Sequence, residues 1–267
     1  MPDTESFIQA LEQGPLHELA ALLSNEPRRM NTFLSQPASH GAEQWMPMHY
    51  AARAGHLAGV ETLLERGVHP DCRTRFATPM HARQTPLHLV AVRGHVDVAK
   101  RLIEAGAEVE VRDAQQRSPL WFAARHGHAE LVTLFARRGA ALEARDTQQR
   151  TPLHAALLPP KLRTSAPIGS AAERLGLSAA EGSDFDPAAA LVLLEADADV
   201  NATCPKEPEG FTPLHRCVTL GEAALPVARA LVERDADRTA TDPRHGRTAF
   251  DLAQHLDQAD YVELLSA

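Results

Sequence analysis

Thr85-Pro86-Leu87-His88 is the stretch that decides the fold, because the chain repeats it at nearly regular intervals. Related tetrapeptides recur at five other places, beginning at Met46, Ser118, Thr151, Thr212 and, in a diverged form, Thr248. In the five closer copies the prolines lie 39, 33, 33 and 61 residues apart. Two consecutive spacings of 33 define a structural period, and the longer intervals contain insertions.

Each copy predicts a pair of helices. Thr85 is predicted to cap the N-terminus of a helix, because its hydroxyl can accept hydrogen bonds from backbone N–H groups that the first turn leaves unpaired. Pro86 follows at the first helical position, where its missing N–H costs nothing, and Gly94 ends the helix in a left-handed conformation. A second helix has an apolar stripe within residues 96–103 and ends at Gly106. One such pair cannot bury its own apolar face, so neighbouring pairs must stack.

These signals resemble the ankyrin repeat, and the resemblance covers residues 44–265. The features that carry it are the tetrapeptide, a Gly-His pair eight residues beyond its proline, and later Leu-Leu and Gly-Ala pairs. The resemblance implies an all-α solenoid of about six helix-turn-helix repeats, each with a β-hairpin finger leading to the next. It implies an N-terminal helical cap, a degenerate repeat, over residues 1–40. The ankyrin-repeat domain then spans 41–267, with an insertion at about 159–187.

Four features depart from the family pattern. The first finger, residues 72–84, has six extra residues. The fourth repeat contains the insertion, in which a short helix is expected over 171–177. This insertion is either a tolerated surface loop or a partner-contacting element. Asp197 and Asp235 stand where the family has the glycine that ends the second helix. This replacement costs little stability, because aspartate tolerates the left-handed conformation better than most residues do. Non-glycine residues, which resist positive φ, stand at four finger tips, at Gln44, Arg83, Gln116 and Gln149.

Composition indicates an intracellular protein without a membrane anchor. Three cysteines in 267 residues do not form a disulfide framework and suit a reducing compartment. The N-terminus has no basic segment followed by an apolar run, so no signal peptide is predicted. No apolar stretch approaches the roughly 20 residues that span a bilayer. We therefore expect a cytoplasmic location.

The 14 histidines do not predict a metal site. Seven belong to the repeat pattern, where they are expected to bind neighbouring backbone. Equivalent histidines in successive repeats lie roughly 10 Å apart, too far to share a metal that each must approach to about 2 Å. His126 and His128 are two residues apart and are not expected to share a face. No Walker-type phosphate loop, dinucleotide glycine pattern, zincin helix or nucleophile elbow occurs, so we predict no enzyme, no metal and no cofactor.

Charge is uneven along the chain. The net charge is −5 over residues 1–72, +5 over 73–150 and −8 over 151–267, giving −8 overall. The family resemblance places partners on the concave surface, made of finger tips and exposed positions of the first helices. Arginine and aromatic residues, which are enriched at binding hot spots, occupy many of these positions. The predicted partner-binding residues are Trp45, Arg53, Arg75, Phe76, Gln84, Arg93, Arg117, Trp121, Arg125, His126, Arg150 and Phe211.

These observations predict a protein–protein interaction module, an adaptor, scaffold or inhibitor, whose partner presents an acidic contact surface. We expect a monomer or a hetero-complex. A toxin-neutralising immunity-type protein and a microbial effector remain alternatives. Nucleic-acid binding is disfavoured by the net charge of −8 and by the lack of serial stacking aromatics.

Overall fold

The computed structural model describes most of the repeat region, as residues 9–10, 34–35, 44–75, 83–158, 185–205 and 210–266. Of the N-terminal cap predicted over 1–40, only residues 9–10, which are helical, and 34–35 are described. Phe76 lies outside the described residues, as does most of the predicted insertion at 159–187, with its expected helix over 171–177.

Six pairs of α-helices follow one another within these described ranges, as the repeat pattern predicts. Their bounds are α1 Pro47–Ala54, α2 Leu57–Glu65; α3 Pro86–Arg93, α4 Val96–Glu104; α5 Pro119–Arg125, α6 Ala129–Arg137; α7 Pro152–Ala156, α8 Ala188–Glu195; α9 Pro213–Leu220, α10 Leu225–Val232; α11 Ala249–His255, α12 Ala259–Ser266. A 3-10 helix, Gly221–Ala224, connects α9 to α10. Two short antiparallel strands precede α1, β1 Leu34–Ser35 and β2 Gln44–Trp45.

The chain divides into two compact units, Met1–Ala141 and Leu142–Ala267, a division that the sequence pattern does not predict. The first unit contains α1 to α6 and the second contains α7 to α12. In the first unit, α3 contacts α1 and α5, and α4 contacts α2 and α6. In the second unit, α9 contacts α7 and α11, and α10 contacts α8 and α12. Each unit is therefore a stack with one layer of first helices and one layer of second helices.

The helix ends follow the predicted local chemistry. Each of α1, α3, α5, α7 and α9 begins at the repeat proline. The side chains of Ser118 and Thr212 accept hydrogen bonds from the backbone N–H groups of Trp121 and His215. The glycines after the first helices are left-handed, with φ of 75° at Gly55, 84° at Gly94 and 76° at Gly127. The predicted caps are confirmed at these positions.

The finger tips keep the left-handed conformation without glycine. Arg83, Gln116 and Gln149 have φ of 66°, 60° and 65°, whereas Gln44 lies in β2. In the second finger Asp113 stabilises the turn, because its Oδ1 accepts from the backbone N–H groups of Gln115 (2.8 Å) and Arg117 (2.9 Å). These hydrogen bonds offset the strain of a positive φ, which at a non-glycine residue costs about 1–3 kcal/mol.

The two helix layers pack through small and apolar side chains. In α4, Val98, Ala99 and Leu102 are buried, whereas Asp97 and Lys100 face solvent. Complete burial of a side chain such as Leu102 contributes about 1.5–3 kcal/mol. None of the described helices combines the length and the apolar composition needed to cross a bilayer.

Histidines of the Gly-His pairs tie successive repeats together. His95 Nε2 lies 3.1 Å from the carbonyl oxygen of Arg53, and His128 Nε2 lies 3.2 Å from that of Val92. A Cβ added to Gly55 would lie 2.6 Å from the His95 ring, so the glycine is also required by this packing.

Candidate functional site

The first helices of the first unit carry positive charge only. Helices α1, α3 and α5 contain no acidic residue, and each has an arginine in its last turn, at Arg53, Arg93 and Arg125. The second helices of the same unit carry acidic residues as well, since α2 has two glutamates and α4 has both Asp97 and Lys100. The layer of first helices therefore presents a cationic edge at its carboxyl end.

Several other arginines are already paired with carboxylates. Arg117 contacts Asp113 through two nitrogens, at 2.7 and 2.8 Å, and the Asp113 side chain is fully buried. Arg150 pairs with Asp146 in the same way in the second unit, with two guanidinium nitrogens 2.8 Å from Oδ2. The Arg117 guanidinium also lies over the ring of Phe122, 4.6 Å from its centroid. Arg117 and Arg150 therefore hold their fingers in shape.

Arg53 and Arg93, at the ends of α1 and α3, are in a different situation. Arg93 is exposed, and within the described part of the chain its side chain makes no hydrogen bond or ion pair. The guanidinium of Arg53 lies over the Trp45 ring, 5.2 Å from its centroid, in a cation–π contact, and no carboxylate of the described residues pairs with it. Arg125 is half-buried, and His126 beside it is exposed.

A cleft of about 470 Å³ lies between the first and second fingers of the first unit. Arg73, Arg83 and Arg112 line it together with Glu108 and Glu110. Arg112 is paired with Glu110 at 3.0 Å, and Arg73 donates to the carbonyl oxygen of Arg112 at 3.1 Å. This ion pair and this hydrogen bond lie in the wall of the cleft. Its lining residues include no nucleophile beside a general base.

Family profiles identify the repeats directly. A profile described as "Ankyrin repeats (3 copies)" matches residues 87–158, and one described as "Ankyrin repeat" matches residues 43–75 and 209–243. Together these matches cover more than half of the chain. The chain belongs to the ankyrin-repeat family. Ankyrin repeats bind other proteins, so the fold indicates a protein–protein interaction module, and it is typically not enzymatic.

Curated relatives match this ankyrin-repeat protein over less than half of its length. An E3 ubiquitin-protein ligase of Oryza sativa subsp. japonica is 30% identical over 115 residues, 42% of this chain and 22% of the ligase. A histone-lysine N-methyltransferase of Mus musculus is 31% identical over 111 residues, 40% of this chain and 7% of the enzyme. NF-kappa-B inhibitor alpha of Homo sapiens is 26% identical over 111 residues, 40% of this chain and 34% of the inhibitor. The matched stretches thus span about a third or less of each relative.

The predicted exposure of the partner-binding residues is wrong at four positions. Trp45, Gln84, Trp121 and Phe211 are 6%, 4%, 5% and 8% exposed. The positions before the capping residue lie against the next element, as Phe211 does when its ring stacks on His215 with centroids 5.5 Å apart. Direct contact of these four side chains with a partner stays a prediction, with little surface to support it.

The remaining predicted residues fall into three groups. Arg117 and Arg150 are in the aspartate pairs described above. Arg53 and Arg125 are half-buried, and the exposed ones are Arg75, Arg93 and His126. The structure brings Arg53, Arg93 and Arg125 onto three consecutive, contacting helices of one unit. The Asp113–Arg117 spacing of four residues, repeated at Asp146–Arg150, is the sequence signal that could have identified these two arginines as ion-paired.

The tetrapeptide histidines are all predicted to bind neighbouring backbone, and three of the four do so. Nε2 of His49, His88 and His215 lies 3.0–3.1 Å from the carbonyl oxygens of Cys72, Arg117 and Arg247. In the fourth repeat, Nε2 of His154 has no hydrogen-bond partner among the described residues. Burial lowers the pKa of His49, His88 and His154 to about 4. These imidazoles are neutral at pH 7, where a general base would need a pKa close to the operating pH.

The expectation that His126 and His128 do not share a face is wrong. Their rings are nearly parallel, with centroids 6.3 Å apart. The reason is that α5 ends at Arg125 and the chain reverses at the left-handed Gly127, so the helical spacing rule does not apply. Among the described residues, no group of three or more potential metal ligands occurs.

Two of the described cysteines, Cys72 and Cys217, are poor nucleophiles. Burial raises the pKa of the Cys72 thiol to about 12 and raises that of Cys217 further. Neither thiol forms the thiolate that nucleophilic chemistry needs at pH 7.

Proposed function

We propose that this ankyrin-repeat protein binds an acidic surface of a partner protein through Arg53, Arg93 and Arg125, here called the arginine row. The observation that carries the proposal is the contrast between arginines of the same unit. Arg117 has a buried carboxylate partner, whereas Arg93 is exposed and its side chain has no ion pair in the described chain. An exposed arginine such as Arg93, which has no counter-charge among the described residues, is available to a ligand.

The chemistry of the row favours carboxylate groups. Arginine binds carboxylates through paired N–H donors and is enriched at interface hot spots. The three helices that carry the row contain no acidic residue that would repel such a partner. Its charge therefore also raises the association rate with an acidic surface, most strongly at low salt.

A purely structural role of the row is the main alternative. A cation in the last turn of a helix interacts favourably with the helix dipole and contributes about 0.3–1 kcal/mol. Such a role predicts a small loss of stability on charge reversal and no loss of binding. Binding and unfolding measured on the same variants separate the two roles.

The biological role remains one of several: adaptor, scaffold or inhibitor, with an immunity-type protein or a microbial effector as alternatives. The inhibitor role is supported by the likeness to NF-kappa-B inhibitor alpha, over 40% of this chain. Nucleic-acid binding is less well supported, because the net charge is −8. We assign no catalytic residue, and the cytoplasmic location stays a prediction.

The test compares two variants of equal charge change. Arg53→Glu, Arg93→Glu and Arg125→Glu together reverse the row. The control, Arg66→Glu, Arg137→Glu and Arg138→Glu, reverses three exposed arginines at the ends of second helices of the same unit. Arg117 is left unchanged, because its reversal would place two carboxylates against each other.

Each variant and the unchanged protein are used to capture partners from cell extract, followed by mass spectrometry and affinity measurement on the recovered partner. We expect the row variant to lose the partner and the control to retain it, with equal helical circular dichroism. Retention of the partner by the row variant would overturn the proposal.

A further inference from the structure

We propose that the last described repeat binds a basic amphipathic α-helix of a second partner protein. The binding surface consists of Phe250, Leu252 and Val262 on α11 and α12, here called the end face. These helices belong to the second unit, whereas the arginine row belongs to the first. A chain with both surfaces would connect two partners of opposite charge, as an adaptor does.

The end face consists of side chains whose equivalents are buried in earlier repeats. Phe250, Leu252 and Val262 are half-buried. The residues at the same places of the second and third repeats are at most 6% exposed, namely Leu87, Leu89, Ala99, Leu120, Phe122 and Val132. The last described repeat therefore leaves open a surface that those repeats cover.

The cover in those repeats is the next pair of helices. Helix α3 contacts α5 and α4 contacts α6, so each pair receives the following pair on one side. Helices α11 and α12 contact each other and, on their other side, α9 and α10. Among the described residues, no seventh pair follows them. The end face is thus the stacking surface of a repeat, where helices from another molecule can pack.

Part of this stacking surface is polar and part is not. Asp251 and Gln254 are exposed where the second repeat has buried His88 and Ala91, and a polar outer face of this kind keeps the terminal repeat of a solenoid soluble. The three residues of the end face do not follow this rule. Because α11 and α12 are in contact, their apolar side chains belong to one surface, and exposed apolar surface bordered by polar residues is typical of an interaction site.

The architecture around the end face favours a helical ligand. The surface is formed by two helices whose backbone N–H and C=O groups bond within each helix, so it offers no strand edge to an extended segment. In the second repeat the same surface receives helices, since α3 packs against α5. A helix that takes this place presents apolar residues at i, i+3, i+4 and i+7.

The helices that carry the end face are acidic. Four carboxylates are exposed on or between them, and residues 249–266 contain no lysine or arginine. These carboxylates belong to Asp251, Asp257, Asp260 and Glu263. The nearest such cation in the sequence is Arg247, which precedes α11. Lysine or arginine beside the apolar stripe of a partner helix complements this charge, which speeds association and disfavours acidic helices.

A second copy of this chain fits the end face less well. A two-fold symmetric dimer places the same surface of both copies in contact. The four carboxylates of one copy would then approach those of the other, with no lysine or arginine from α11 or α12 between them. Like charges that face each other across an interface are unfavourable. The charge therefore favours a different protein as the occupant.

The experiment uses three fluorescently labelled helical peptides of equal length. The first has leucines at i, i+3, i+4 and i+7 with lysines on both sides of this stripe. The second has the same composition in an order that breaks the stripe, and the third keeps the stripe with glutamate in place of lysine. Fluorescence anisotropy measures binding to the full chain at about 0.15 M salt, where a Debye length of about 8 Å screens general attraction to the net charge of −8.

Two variants of the chain locate the binding. The apolar variant, Leu252→Gln with Val262→Gln, removes two apolar side chains of the end face and keeps its carboxylates. The charge variant, Asp260→Asn with Glu263→Gln, removes two exposed carboxylates of α12 and keeps the apolar side chains. Circular dichroism checks the fold of both, and the charge variant alone decides if the apolar variant loses helix.

The matched control is Glu195→Gln with Glu233→Gln. It removes two exposed carboxylates at the ends of α8 and α10, which are second helices of the same unit. The control thus has the same net charge as the charge variant and an unchanged end face.

We expect the first peptide to bind at least about tenfold more tightly than the second or the third. The apolar variant should lose this preference. The charge variant should bind the first peptide more weakly, by a factor that shrinks as the salt concentration rises. The matched control and the arginine-row variant should bind it as the unchanged protein does.

Equal binding of the striped and reordered peptides would overturn the inference, as would equal binding of the lysine and glutamate peptides or failure of all three to bind. Undiminished binding by the apolar variant, or an equal loss in the matched control and the charge variant, would place the peptide elsewhere on the chain. A dimer in analytical ultracentrifugation that the apolar variant no longer forms would assign the end face to a second copy, which also contradicts the proposal.

Discussion

The imidazole of His88 donates from Nε2 to the carbonyl oxygen of Arg117, 3.1 Å away and 29 residues later in the chain. Its Nδ1 lies 2.9 Å from the hydroxyl oxygen of Thr85 and accepts from the Thr85 backbone N–H. Because a carbonyl oxygen can only accept, the proton is on Nε2 and Nδ1 is the acceptor. One neutral imidazole thus caps its own helix and fixes the finger of the next repeat.

Acidification should destabilise the protein well before its carboxylates titrate. The pKa of His49, His88 and His154 falls from 6.5 to about 4 on folding because burial disfavours the charged form. Between these values the unfolded chain binds protons that the folded chain does not. Stability is therefore complete above about pH 6.5 and lost as the pH falls towards 4, by up to about 1.4 kcal/mol per pH unit for each histidine.

Urea unfolding at pH 7.5, 6 and 5 measures this loss. His88→Asn should be less stable at pH 7.5 but should lose less on acidification. His255→Asn changes an exposed histidine and is the control. On acidification it should lose as much free energy of unfolding as the unchanged protein does. A free energy of unfolding that is constant between pH 7.5 and 5 would contradict the assignment.

The Asp113–Arg117 pair should be important for stability. Asp113→Ala leaves a guanidinium that is 14% exposed without its carboxylate and removes the acceptor of the finger turn. We expect a loss of about 3 kcal/mol, and Arg117→Ala in addition should cost less than it does alone. The more exposed Arg112–Glu110 pair is the comparison, and Arg112→Ala should cost less than about 1 kcal/mol. Equal losses from the two pairs in chemical denaturation would refute this ranking.

Gly94 and Gly106 separate backbone strain from packing. Both have positive φ, at 84° and 90°, so alanine at either position costs about 1–2 kcal/mol. A Cβ at Gly94 would also lie 2.8 Å from the His128 ring, whereas a Cβ at Gly106 meets nothing within 4 Å. Gly94→Ala should therefore lower the melting temperature clearly more than Gly106→Ala. Equal melting temperatures of the two variants would show that the histidine moves aside without cost.

In the last described repeat, Tyr261 binds carbonyl oxygens at the end of the preceding first helix, as His95 and His128 do in earlier repeats. Its hydroxyl lies 3.0 Å from the carbonyl oxygen of Cys217 and 2.8 Å from that of Gly221, and shares its one hydrogen between them. Tyr261→Phe keeps the buried ring and removes this donor, which should cost about 1–3 kcal/mol. Thermal unfolding followed by circular dichroism measures it, and an unchanged melting temperature would count against the role.

The arrangement of helices could be predicted from sequence because it depends on local chemistry. A capping hydroxyl, a proline at the first helical position and a left-handed glycine act within a few residues of one another, and they place α3 and α5 correctly. The 33-residue period then requires stacking, since a single helix pair cannot bury its apolar face.

The availability of each arginine could not be predicted in the same way. Arg93 and Arg117 are the same residue type at positions that the family resemblance assigns to one surface. Folding places Arg117 on a buried carboxylate and leaves Arg93 exposed. Likewise Trp45 and Phe211 are buried by neighbouring elements.

The sequence by itself therefore determined the repeat and the positions at which the first helices begin. Only the tertiary structure decided that Arg117 pairs with a buried carboxylate whereas Arg93 is exposed, because burial and ion pairing depend on groups that only packing brings together.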